Sequence, residues 1–119
     1  MRFMMMVKSA ENQGPPPQEL MDAMGKLVGD AFKSGQMIAT GGLAPTAASK
    51  RVRLSQGQIA VIDGPFAEAK EVGGGFALME FKSHEEALES ALNFMALHRK
   101  YWPSWEGVSE IRQVFGPED

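Results

Sequence analysis

Phe3-Met4-Met5-Met6-Val7 is an unbroken apolar run bounded by Arg2 and Lys8. The run is too short for a helix and is fenced by charge, so it reads as a β-strand buried on both faces. The elements that follow must cover those two faces. Gly14-Pro15-Pro16-Pro17 is a rigid connector that ends the strand and presents a proline near a helix start. Leu20, Met21, Met24, Leu27, Val28, Ala31 and Phe32 then recur at three- and four-residue spacing, which predicts an amphipathic helix with Glu19, Asp22, Lys26, Asp30 and Lys33 on its wet side. Gly35 is the expected stop. Gly25 and Gly29 lie inside this helix, where each costs up to about 1 kcal/mol relative to alanine, so a close approach to the helix backbone is expected there.

Residues 37–40 form a second short strand, and Gly41-Gly42-Leu43-Ala44-Pro45 leads into a small polar loop. Val52 and Leu54 alternate with Arg51, Arg53 and Ser55, Gln56-Gly57 supplies a turn, and Ile59-Ala60-Val61-Ile62 ends at Asp63. That pattern predicts a β-hairpin. Residues 76–81 read as a strand, Ser83-His84-Glu85-Glu86 as a capping box, and the helix after it as one that buries Ala87, Leu88, Ala91, Leu92 and Met95. His98-Arg99-Lys100 places positive charge at its C-terminal end. A last strand is expected at residues 108–115. The resulting order of strand, helix, strand, hairpin, strand, helix, strand predicts an α+β fold of the ferredoxin-like, split βαβ type with an inserted β-hairpin. Two helices cover only one face of such a sheet. A strand apolar on both faces therefore implies a homodimer packed through the open sheet face.

The chain has 119 residues, which is the size of one domain, so residues 1–119 are taken as a single unit. A formal charge of -3 lacks the positive field that phosphate backbones require, which argues against nucleic acid as a direct partner. There are no cysteines, so disulfides, thiolate catalysis and cysteine-based zinc sites are excluded. No segment approaches the roughly 20 apolar residues that span a bilayer, and the first apolar run is too short for a signal-peptide core, so no membrane association and a cytoplasmic location are expected. Most of the nine methionines fall on apolar strand or helix faces and read as core filling, with no metal site and no cofactor expected.

Val61-Ile62-Asp63-Gly64-Pro65-Phe66-Ala67-Glu68-Ala69-Lys70-Glu71, followed by Gly74-Gly75-Phe76, resembles the signature of the DGPF proteins, a branch of the YCII-like family. The resemblance runs from the first strand to the last and weakens after His98, where Tyr101-Trp102-Pro103-Ser104-Trp105 looks longer than the family's usual link. It implies a dimeric α-β barrel, a sigma-factor-like regulator as a partner, and mostly unassigned biochemistry. Some relatives are enzymes that use a histidine and aspartate pair on carboxylate substrates. Here Asp63 matches the aspartate, but His84 and His98 lie outside the early first-helix region where those relatives carry the histidine, so the pair is not carried over.

Asp63 has two readings. It is a general base if burial raises its pKa, or an Asp-Gly turn residue that accepts backbone N–H bonds. Gly64, Pro65 and Phe66 would shape the same loop. Glu68 and Lys70 could orient a small anionic ligand or pair on a solvated surface. Arg51, with Arg53 on its strand face, could bind a carboxylate or blunt a sheet edge. Gly73-Gly74-Gly75 could cradle an anion or form a bulge. Trp102, with Tyr101 and Trp105, could cover a pocket mouth or pack the last strand. Three functions follow from these readings. One is a small-molecule-binding or regulatory module with a pocket between helix, sheet and the DGPF loop. The others are a lyase or isomerase with Asp63 as base, and a structural dimer that serves protein interaction.

Overall fold

The chain runs β1 (Arg2–Ser9), α1 (Gln18–Lys33), β2 (Met37–Gly42), β3 (Lys50–Ser55), β4 (Gln58–Asp63), β5 (Val72–Glu80), α2 (His84–Tyr101) and β6 (Gly107–Val114), with a short 3-10 turn at Thr46–Ala48. The computed structural model describes residues 1–66 and 72–116. Four strands form one sheet in the order β2-β5-β1-β6, and every neighbouring pair is antiparallel. Strand β5 separates β1 from β2, and β1 separates β5 from β6. Both βαβ units are therefore split, giving the expected ferredoxin-like α+β arrangement. Strands β3 and β4 pair only with each other, as the inserted hairpin. Its turn residues Gln56 and Gly57 have φ of 51° and 76°, the positive pair that a two-residue hairpin turn requires.

The core lies between the sheet and the helices. It joins Phe3, Met5, Met37, Met79 and Phe81 to Ala31 of α1 and Ala87 and Ala91 of α2. Strand β1 alternates: Phe3 and Met5 are buried, while Met4 and Met6 are only half-buried on the opposite face. The expectation of burial on both faces thus holds for one face within a single chain. On the open face Met4 stands opposite Leu78, and Met6 opposite Phe76. The Phe76 ring lies against Gly41 of β2, 3.0 Å from where a Cβ would sit.

Both helices depart from their expected packing. In α2 the buried residues are Ala87, Ala91 and His98, whereas Leu88 and Leu92 are 52% and 61% exposed. Two apolar stripes offset by one residue compete for the sheet. The alanine stripe wins because small side chains let the helix axis come close. Ser83 caps α2 by accepting from the Glu86 N–H at 3.2 Å, and the Glu86 carboxylate reaches back to the Lys82 N–H at 3.0 Å. In α1, Leu20 and Ala31 are buried, but Met21 and Phe32 stay about half exposed. Nothing lies within 4 Å of a Cβ built on Gly25 or Gly29, so no backbone approaches the helix there; Gly25 faces an open cavity instead. Gly35, with φ 79°, ends the helix as expected.

The triple glycine belongs to β5, with a bulge. Register with β1 jumps from Val7 opposite Gly75 to Lys8 opposite Gly73, which leaves Gly74 as the extra residue. The radius of gyration is 16.1 Å, against roughly 13–14 Å for a compact chain of this length, because the hairpin projects from the body. Val52, Leu54, Ile59 and Val61 are each 65–73% exposed. Val52 faces Val61 and Leu54 faces Ile59 across the ladder, so all four share one face of the hairpin.

Candidate functional site

A cavity of about 1110 Å³ opens between the sheet and the helices. Its floor is the helix-facing side of β1 and β5, including Met5, Val7 and Ala77, and its roof is the Met21, Met24, Gly25 and Val28 stripe of α1. One end is aromatic. His98, near the C-terminus of α2, is only 6% exposed, and its Nδ1 donates to the Phe94 carbonyl at 3.0 Å. A carbonyl can only accept, so the proton must be on Nδ1. The imidazole lies between Phe94 and Trp105, with ring centroids 4.7 and 4.4 Å away, and Trp102 stacks beyond Trp105 at 6.2 Å.

The turn after α2 fixes this wall. Trp102 N–H donates to the His98 carbonyl at 2.7 Å, and Trp105 N–H to the Trp102 carbonyl at 3.0 Å. The Trp105 indole then folds over Gly107, where any Cβ would overlap it. The segment from Trp102 to Trp105 is therefore the aromatic end of the cavity. Among the described lining residues there is no lysine or arginine; the acidic ones are Glu11 and Asp30, and the Asp30 carboxylate is mostly exposed and paired with Lys26 at 3.7 Å. Glu11 is already engaged, accepting from the Thr46 N–H at 2.7 Å and hydroxyl at 3.0 Å.

The expected site residues do not converge. Trp102 lines the cavity. Arg51 and Phe66 line a separate groove of about 430 Å³ together with Lys8, Thr46 and Val72, and the Arg51 guanidinium lies 3.7 Å from the Phe66 ring centroid. Asp63 lines neither. Its side chain is 73% exposed and accepts from the Lys50 ammonium, its cross-strand partner. It therefore lacks the burial that the general-base reading requires, and its partner is a side chain where the turn reading expects backbone N–H groups. Gly64 donates to the Ser49 carbonyl at 2.8 Å, and Pro65 is exposed. Glu68 and Lys70 lie outside the described residues. Among the described residues no group of three or more His, Asp or Glu side chains is placed to hold a metal ion, and no helix is long and apolar enough to cross a membrane.

The family model for the YCII-related domain matches residues 1–115. The chain belongs to the YCII-related domain family. An uncharacterized protein of Rhizobium meliloti (strain 1021) is 42% identical over 59 residues, a stretch that covers 50% of this chain and 48% of that protein. The chain thus spans about half the length of the curated relative it matches. Among the described residues of this YCII-related domain, the most enclosed polar side chain is His98. Sequence alone marks that residue as a cation at a helix end. The signal that finds it is spacing: His98 follows Ala87, Ala91 and Phe94 at helical intervals and so shares their inward stripe.

Proposed function

We propose that this YCII-related protein, of the DGPF branch, is a homodimeric small-molecule-binding or regulatory accessory module, folded as one domain over residues 1–119. Its ligand occupies the cavity between the helices and the sheet. The observation that carries this reading is the cavity's combination of size, apolar lining and a buried imidazole at one end. Ligand pockets typically hold about 300–1,000 Å³ and set a few polar groups among apolar walls.

The homodimer reading draws support from the half-buried Met4, Met6, Phe76 and Leu78 face of the sheet and from the exposed aliphatic face of the hairpin. An isolated two-stranded hairpin is marginal in water, so a second copy covering both surfaces would stabilise it. A small anionic ligand would find its cationic partners in the groove, at Lys8 and Arg51. A sigma-factor-like regulator stays a partner suggested by the family alone. The lyase or isomerase reading needs a buried Asp63, and an exposed, lysine-paired Asp63 gives it no support.

A thermal-shift screen of the purified chain against small metabolites and apolar probes tests the reading, since a ligand that binds only the folded state raises the midpoint. Hits whose shifts fall when Met24 is replaced by Trp, which fills the cavity, support it. A complete absence of shifts, or shifts unaffected by that filling, removes the cavity as the site.

A further inference from the structure

We infer that the cavity selects uncharged, largely apolar ligands that carry a hydroxyl or N–H donor, and that the donor is received by Nε2 of His98. This inference rests on the cavity being a ligand site and adds the chemistry of its occupant. The Phe94 carbonyl holds a proton on Nδ1, and in an imidazole that carries that single proton Nε2 is an acceptor. Nε2 makes no hydrogen bond to any described residue, although His98 as a whole is 6% exposed and lines the cavity. An acceptor that opens on an apolar-walled cavity gains about one neutral hydrogen bond's worth of affinity when a ligand donor meets it there. The polarity of the site is thus that of an acceptor waiting for a donor.

Charge decides the rest. A carboxylate or phosphate entering the cavity would lose its hydration and meet no lysine or arginine among the described lining residues. The acidic lining residues offer no replacement, since Glu11 is engaged by Thr46 and Asp30 pairs with Lys26. The faces of Phe94 and Trp105 that flank His98 favour a flat apolar body beside the donor.

Trp102 and Trp105 are the only two tryptophans of the chain and both line the cavity, so their emission reports occupancy directly. Naphthalene, 2-naphthol and 2-naphthoate share one apolar body and differ in the group offered to His98. In the full-length wild type, 2-naphthol is expected to quench with an affinity about fivefold above naphthalene, the worth of one neutral hydrogen bond. Naphthoate is expected to be the weakest of the three. In His98→Phe the hydroxyl preference disappears while naphthalene binding persists. Naphthoate binding as tightly as naphthol, or a hydroxyl preference that survives His98→Phe, overturns the inference. Equal affinity for naphthol and naphthalene in the wild type overturns it too, and that comparison stands even if the variant misfolds. Failure of all three to quench removes the cavity reading itself.

Discussion

The α-carbon of Gly64 packs against the carbonyl of Thr46 so closely that a Cβ at Gly64 would overlap it. The contact is backbone to backbone, locked further by the Gly64 N–H donating to the Ser49 carbonyl at 2.8 Å. Glycine at this point of the DGPF segment is thus required by space. Gly64→Ala is expected to destabilise the protein by about 1–3 kcal/mol, since neither carbonyl can swing aside as a flexible side chain could. A urea titration measures it, and a variant as stable as the wild type would mean that the hairpin base yields easily.

Asp63, by contrast, is expected to be replaceable. An exposed ion pair with Lys50 contributes about 0–1 kcal/mol, so Asp63→Asn should leave the denaturation midpoint nearly unchanged and leave cavity ligands bound as before. Loss of ligand binding in that variant, with the fold retained, would return the DGPF loop to the centre of the site.

Glu110 carries a pH dependence. Its carboxyl is held below the ordinary value of 4.5, chiefly because the Lys8 ammonium donates to it at 3.2 Å, with Arg112 adding its charge. A depressed carboxylate stabilises the fold above its unfolded value, and that contribution is lost as pH falls through the lower folded value. Thermal midpoints of the wild type should therefore drop more steeply on acidification below about pH 4.5 than those of Glu110→Gln. Parallel curves for the two proteins would show that the pair does nothing for folding.

The topology was open to reading from the sequence, because it rests on signals each residue carries locally. The apolar run of β1, the Gln56-Gly57 turn, the Ser83 cap and the Gly35 stop each specify backbone geometry through their own chemistry. The site was less open. Leu88 and Ala87 differ by one helical step, and nothing local decides which turns inward; the sheet chooses the alanines because they permit closer approach. The same choice carries His98 into the interior. The DGPF motif points to Asp63, yet a strand end on a projecting hairpin is a solvated place, and that projection is a tertiary property.

Dimerisation through the hairpin is open to a direct test. Leu54 and Ile59 stand opposite each other and are 71% and 73% exposed. Leu54→Lys combined with Ile59→Glu halves the aliphatic surface, leaving only Val52 and Val61, and sets an opposite-charge cross-strand pair that keeps the ribbon together. The double variant is expected to sediment as a folded monomer at concentrations where the wild type is a dimer. A dimeric variant would shift the interface to the sheet face alone, and a monomeric wild type would end the dimer reading.

The two glycines inside α1 separate stability from binding. Both have helical φ and open space where a Cβ would go, so Gly25→Ala and Gly29→Ala should each stabilise the protein by about 0.5–1 kcal/mol. Only Gly25 lines the cavity, however, and a larger side chain there projects into the ligand's volume. Gly25→Leu should therefore keep or raise the melting temperature while abolishing quenching of Trp102 and Trp105 by an apolar probe. Gly29→Leu should leave quenching intact. If neither leucine affected the probe, the space beside Gly25 would not be where ligands reside; if both did, the helix as a whole would have moved. An unstrained glycine retained in a helix at a cost in stability is explained when the room it leaves is used, and this pair of variants measures that use.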